Sequence, residues 1–196
     1  MKIQVILASS RPNRVVERVA KWVLANAKDQ AGWNVELIDL KDYDLPHFDE
    51  PISPKYNPNR PMNEITRRWV AKVAEADGYV IVTPEYNHSF PGHLKDALDY
   101  LDYQIEHKPV AIVGYGSVGG ARAAEQLRLV VNFLGAAVVP GTVGLLTPDR
   151  VLDEGGHYVG DTSNPYGPPA ALASVLNDLS WWTATLNAGR LAEAAH

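Results

Sequence analysis

Three polar stretches each follow a short apolar run, and they hold most of the residues that could do chemistry. The first is Ser9-Ser10-Arg11-Pro12-Asn13-Arg14, ahead of an amphipathic segment. A short loop that opens a helix presents unpaired backbone N–H groups and the positive end of the helix dipole, which together favour an anion. Ser9 and Ser10 add hydroxyl donors. Arg11 and Arg14 add charge-assisted hydrogen bonds, roughly twice as strong as neutral ones. A solvated helix cap with two surface arginines has the same composition, so the pattern alone does not decide. It lacks the Gly-X-X-X-X-Gly-Lys spacing of a nucleoside triphosphate loop.

The second stretch, Pro84-Glu85-Tyr86-Asn87-His88-Ser89, offers aromatic area and several hydrogen-bonding groups. A plain helix entry capped by Asn87 or Ser89 is the alternative. The third is Gly116-Ser117-Val118-Gly119-Gly120-Ala121-Arg122. Its glycines permit positive φ and close approach of a ligand to the backbone. Gly114, Gly116 and Gly119 have the spacing of a dinucleotide fingerprint, but after a fourth strand rather than the first.

The elements that must position these loops follow from periodicity. Ile3–Ala8, Val35–Leu40, Tyr79–Val82, Pro109–Tyr115 and Val138–Val143 are short apolar runs that predict strands buried on both faces, as in a parallel sheet. Between them, apolar residues recur at helical spacing: Val16, Val19, Ala20, Val23 and Ala27; Ile65, Trp69, Val73 and Ala76; Leu94, Ala97, Leu98 and Leu101; Ala124, Leu127, Val131 and Leu134. A closing helix is predicted over 170–192, with Leu172, Leu176, Leu179, Trp182 and Leu186 packing. Strands alternating with helices require right-handed crossovers and a sheet covered on both sides. The strand order expected is 2-1-3-4-5. Ligands in such sheets bind beyond the carboxyl ends of the strands, where all three polar loops would meet.

Two stretches predict less. Residues 41–61 are proline-rich and read as an exposed connection. Residues 144–169 read as a long loop with a small hairpin, or a lid. Asp99 and Asp102 lie three apart on an expected helix surface with no reason for burial, so they are not read as an acid–base pair. His47, Asp49 and Glu50 lack metal-ligand spacing.

Composition excludes several classes. The 196 residues suit one domain spanning 1–196, with 46% hydrophobic and 21% charged residues. A net charge of −5 opposes a nucleic-acid footprint. No apolar run approaches the roughly 20 residues that cross a bilayer. The start of the chain shows no secretory pattern, and a cytoplasmic location is expected. Cysteine is absent, which excludes disulfides and thiolate chemistry. It also excludes the cysteine phosphatases that share this type of fold.

The run Pro-Glu-Tyr-Asn-His-Ser-Phe-Pro-Gly-X-Leu-Lys-Asp-Ala-Leu-Asp-Tyr-Leu, from Pro84 to Leu101, resembles the signature of the NAD(P)H-dependent FMN reductases, a flavodoxin-like family. Ala8-Ser9-Ser10-Arg11 is similar to that family's phosphate loop. Where many members carry a second serine, this chain has Arg14. The resemblance covers about residues 3 to 143. It implies an α/β flavodoxin-like three-layer sandwich with a five-stranded parallel sheet. It implies FMN as cofactor, NADPH or NADH as co-substrate, and a homodimer or homotetramer. The acceptor would be a small molecule: flavin, quinone, azo compound or metal oxyanion.

The cofactor contacts it implies are Ser9, Arg11, Arg14, Val15 and Val16 at the phosphate; Pro84, Glu85, Tyr86 and Asn87 along the ribityl chain and ring edge; and Gly116, Ser117, Gly119 and Gly120 at the ring. Hydride would pass from NAD(P)H to flavin N5 and on to the acceptor, with no side chain as nucleophile or general base and no metal. His88 is expected as a rim residue. The alternative is a flavodoxin-like electron-transfer or redox-sensing protein that does not turn over NAD(P)H, a class usually more acidic than this chain.

Overall fold

The computed structural model describes residues 1–194. Five strands, β1 (Lys2–Leu7), β2 (Asn34–Asp39), β3 (Gly78–Pro84), β4 (Pro109–Gly116) and β5 (Ala137–Leu146), form one sheet in the order β2-β1-β3-β4-β5. All neighbouring pairs run parallel. The helices are α1 (Val16–Lys28), α2 (Glu64–Ala74), α3 (Gly92–Asp99), α4 (Ala121–Phe133), the short α5 (Pro148–Val151) and α6 (Pro168–Ala194). The expected topology is therefore the observed one. Strands fall within a few residues of their predicted bounds, except that β5 runs on to Leu146.

The sheet divides two apolar layers. Ile3, Val5 and Leu7 of β1 point to one side, where Val16, Val19, Val23, Leu172, Leu176 and Leu179 of α1 and α6 cover them. Ile6, Tyr79, Ile81 and Ile112 point to the other, against Trp69, Val73, Leu94, Leu98 and Leu127 of α2, α3 and α4. Strand alternation of period 2 sends successive residues of the same strand to opposite layers, so the central strands are apolar on both faces apart from the buried Gln4 of β1 and Thr83 of β3. Asn63 caps α2 by accepting from the Thr66 N–H at 2.8 Å.

Residues 41–61 depart from the exposed connection expected. Tyr43, Leu45 and Pro54 are buried, and Arg60, also buried, pairs with Glu50 at 2.6 Å and Asp102 at 3.4 Å. Arg60 Nη2 also donates to the Tyr100 carbonyl at 2.6 Å. The solvated face expected for Asp102 is thereby corrected. Helix α3 ends at Asp99, so Asp102 lies beyond it and turns inward to a cation supplied from 42 positions away in sequence. Residues 144–169 contain α5 and a bridge between Leu152 and Tyr158, and Tyr158 stacks on Trp22 of α1 at 6.0 Å. The small-hairpin reading describes them best. In α6, Trp181 is exposed while Trp182 packs against the core.

Lys108, just before β4, is buried with its ammonium 2.9 Å from the Ala74 carbonyl and 3.4 Å from the Tyr79 hydroxyl. Burial lowers its pKa from 10.5 to about 8; Arg190 acts in the same direction and Asp77 opposes it. Between those values the unfolded chain binds more protons than the folded one. Stability conferred at this position therefore rises with pH across that window. Lys108→Met is expected to remove the rise. Urea midpoints of wild type and variant, compared at about pH 7.5 and about pH 10, check it.

Candidate functional site

The loops after β1 and β3 meet at the carboxyl end of the sheet. β1 and β3 pair from Ile3–Gly78 to Leu7–Val82, and β3 runs two residues further to Pro84, so the two loops emerge side by side. The Ser9 hydroxyl lies 2.7 Å from the Tyr86 hydroxyl and joins the two loops directly. The Arg11 guanidinium sits over the Tyr86 ring, 5.3 Å from its centroid. Around them lies a cavity of about 250 Å³ lined by Ser9, Arg11, Asn13, Val15, Tyr86 and Tyr115 among others.

Helix α1 begins here without a side-chain cap, since Val15 occupies the cap position. The first-turn amides of Val16 and Glu17 have no acceptor among the described residues, as expected for a helix start. Ser9 and Val16 are buried; Ser9 and Val15 line the cavity, and Val16 does not. Arg11 is exposed. Arg14 is not a solvated surface arginine. It lines the cavity, but its guanidinium is largely buried and pairs with Asp39 at the end of β2 and with Glu17 in α1.

The second loop turns tightly. Tyr86 and Ser89 exchange both backbone hydrogen bonds, at 2.8 and 3.0 Å, with Asn87 at φ 50° and His88 at φ 69°. Two consecutive positive φ values define a primed turn, which asparagine tolerates well and histidine less so. Pro91, not Asn87 or Ser89, stands at the cap position of α3. The Glu85 carboxylate turns away from the cavity to the start of α4. It accepts from the Arg122 side chain at 2.7 Å and from the Arg122 backbone N–H at 3.1 Å. Desolvation acts upward on this carboxyl, but the contacts of Arg122 and the Ala123 N–H prevail and hold it below the ordinary glutamate value. Arg122 Nη1 lies 2.8 Å from His88 Nε2, and Gln126 donates to the His88 carbonyl at 2.8 Å. This network ties the second loop to the third.

The glycines of the third loop serve the backbone first. A Cβ on Gly114 would meet the carbonyl oxygens of Gly119 and Gly120 at 2.9 Å, and one on Gly120 would meet the Tyr115 nitrogen at 2.5 Å. The fingerprint-like spacing is thus a close-packed turn. Gly116 stands beside Glu85, while Ser117 is exposed. Tyr115 lines the cavity and was not singled out in the sequence, although its place one residue before the glycine turn puts it at the strand's exit. Burial, aided by Tyr86, pushes its phenol above the ordinary tyrosine value against the opposing hydrogen bond of Ser9. It remains a neutral donor across the physiological range.

A profile described as NADPH-dependent FMN reductase matches residues 1–147. The chain belongs to this family. It is accordingly an NAD(P)H-dependent oxidoreductase that uses FMN. An NAD(P)H-dependent FMN reductase of Schizosaccharomyces pombe is 40% identical over 152 residues, 77% of this chain and 76% of that protein. A 2-hydroxy-1,4-benzoquinone reductase of a Burkholderia species is 29% identical over 174 residues, 85% of this chain and 90% of that protein. Among solved structures, the flavoenzyme NAD(P)H:(acceptor) oxidoreductase FerB of Paracoccus denitrificans shares the fold, with a TM-score of 0.73 at 21% identity and 94% and 97% of the two chains covered.

The donor set suits the family's cofactor. A dianionic phosphate requires cations and N–H donors, and the cavity has Arg11, Ser9 and Val15, the residue at the start of α1, in its lining. A polyol chain and a flat ring require mixed polar and aromatic walls, which Tyr86, Pro84 and Tyr115 provide.

Proposed function

We propose that the loops after β1, β3 and β4 form one FMN site from which electrons of NAD(P)H pass to a small quinone-type acceptor. The observation that carries this reading is the junction of Ser9 and Tyr86 over a cavity at the switch between β1 and β3. In this reading Ser9, Arg11, Val15 and Val16 hold the phosphate. Pro84, Tyr86, Asn87 and the backbone of Glu85 line the ribityl chain and ring edge, and Gly116, Ser117, Gly119 and Gly120 present backbone to the ring. When bound, FMN supplies the two-electron chemistry between nicotinamide and acceptor. The chain's own part is to bind, to orient and to leave one ring face open to the nicotinamide; no side chain acts as nucleophile or general base. The quinone acceptor is supported by the Burkholderia relative.

Among the arginines that could meet a nucleotide phosphate, Arg60 and Arg14 are 2% and 6% exposed in ion pairs, which leaves Arg11 and Arg122. Anaerobic mixing of the flavin-loaded protein with NADPH, and separately with NADH, tests the reading. The visible flavin band is expected to bleach with at least one nucleotide and to return on adding a benzoquinone. A band that stays oxidised with both would leave an electron-transfer or sensing protein instead.

A second copy of the chain is the proposed partner. A groove of about 400 Å³ lies over α3 and α4, lined by Phe48, Pro54, Tyr56, Leu129 and Phe133 among others. Tyr56, Leu129 and Phe133 are 84%, 72% and 85% exposed, an unusual concentration of apolar surface. Sedimentation equilibrium is expected to show a dimer in wild type and a monomer in Phe133→Asp. A dimer in both would place the interface elsewhere.

A further inference from the structure

Arg14 has no hydrogen-bond donor left for a ligand. A guanidinium carries five N–H donors. Its Nε and Nη2 both donate to Glu17 Oε1 at 3.1 Å. Its Nη1 donates to Asp39 Oδ1 at 2.8 Å and to the Ser9 carbonyl, and Nη2 has a second bond to Asp39 Oδ2. Each of the five is committed inside the protein. The side chain is 6% exposed, and Asp39 is 23% exposed. Two carboxylates therefore offset the charge that the sequence offers to an anion. Asp39 is itself fixed: it ends β2, pairs in register with Leu7 of β1, and accepts from the Lys41 N–H at 2.9 Å.

We infer that Arg14 is a positioning residue rather than a phosphate ligand, and that Asp39, at the end of the edge strand, is the residue that holds it in place. Arg14 clamps the Ser9 carbonyl, which sets the backbone from which the Ser9 hydroxyl and Arg11 reach the cavity. The inference rests on the reading of this loop as the seat of the FMN phosphate.

The two roles predict opposite signs at Asp39. If Arg14 were a ligand, Asp39 would compete with the phosphate for it, and Asp39→Asn would tighten FMN binding. If Arg14 positions the loop, Asp39→Asn loosens the clamp and weakens binding. The substitution keeps the oxygen that accepts from Lys41. Dissociation constants of the apo-protein for FMN and for riboflavin, which lacks the phosphate, are read by flavin fluorescence.

For Asp39→Asn the FMN constant is expected to rise about tenfold, the loss of one charged hydrogen bond, with riboflavin changed less than about twofold. Glu17 is 56% exposed, and Glu17→Gln is expected to shift FMN by less than about threefold. Tighter or unchanged FMN binding in Asp39→Asn overturns the inference, as does an equal loss for riboflavin. Arg11→Ala separates the two failures. If it too leaves FMN and riboflavin equally affected, the phosphate seat itself is wrong. If only Arg11→Ala discriminates them, the seat stands and the role given to Arg14 and Asp39 fails.

Discussion

Arg11→Ala is expected to raise the FMN dissociation constant by about 10- to 100-fold, the range for one lost charge-assisted hydrogen bond. The structure makes Arg11 the free cation of the first loop. It has no carboxylate partner among the described residues, in contrast to Arg14. Its contact is the face of Tyr86, 5.3 Å away. A cation over an exposed ring contributes only about 0.5–1 kcal/mol, so a phosphate can draw the guanidinium off it. Because Arg11 is exposed and packs against little, stability should change by less than about 0.5 kcal/mol. Flavin retained after dialysis, against wild type, checks the result. Equal retention would remove the first loop from the site.

Gly120→Ala is expected to cost about 3 kcal/mol or more of stability, with loss of flavin affinity. Gly120 stands at φ 72°, where a side chain costs about 1–2 kcal/mol by local sterics alone. The new Cβ would also lie 2.5 Å from the Tyr115 nitrogen and 2.7 Å from the Gly114 Cα. Those atoms belong to the backbone of β4, which cannot rotate aside as a side chain can. Relief must come from moving the turn, and Tyr115 moves with it. Gly32→Ala is the control: it has φ 77° with nothing within 4 Å of the added carbon. Its cost should stay near about 1 kcal/mol. Urea unfolding of the two variants side by side separates strain from collision.

The fold was legible because its signals are local. Buried parallel strands need unbroken apolar runs, and Tyr79–Val82 and Pro109–Tyr115 supply them; helices need the stripes that Val16–Ala27 and Leu94–Leu98 supply. Right-handed crossovers then restrict the topology. The site was legible only as far as the loops themselves. Which way a charged side chain turns depends on partners remote in sequence. Arg14 meets Asp39 of β2, Glu85 meets Arg122 of α4, and Arg60 reaches across to Asp102. None of these pairs has a spacing that periodicity could report. The same holds for the glycines after β4, whose spacing suggested a ligand and whose backbone contacts explain a tight turn. Tyr115 went unnoticed because a tyrosine ending an apolar strand reads as core until its neighbours are known.

The most direct measurement is a two-dimensional amide NMR titration of the apo-protein with FMN. The three-loop site predicts that the largest shifts fall on residues 9–17, 84–89 and 115–122, with little change around Phe48, Tyr56, Leu129 and Phe133. Shifts concentrated at that apolar groove over α3 and α4, with the first loop unmoved, would contradict it.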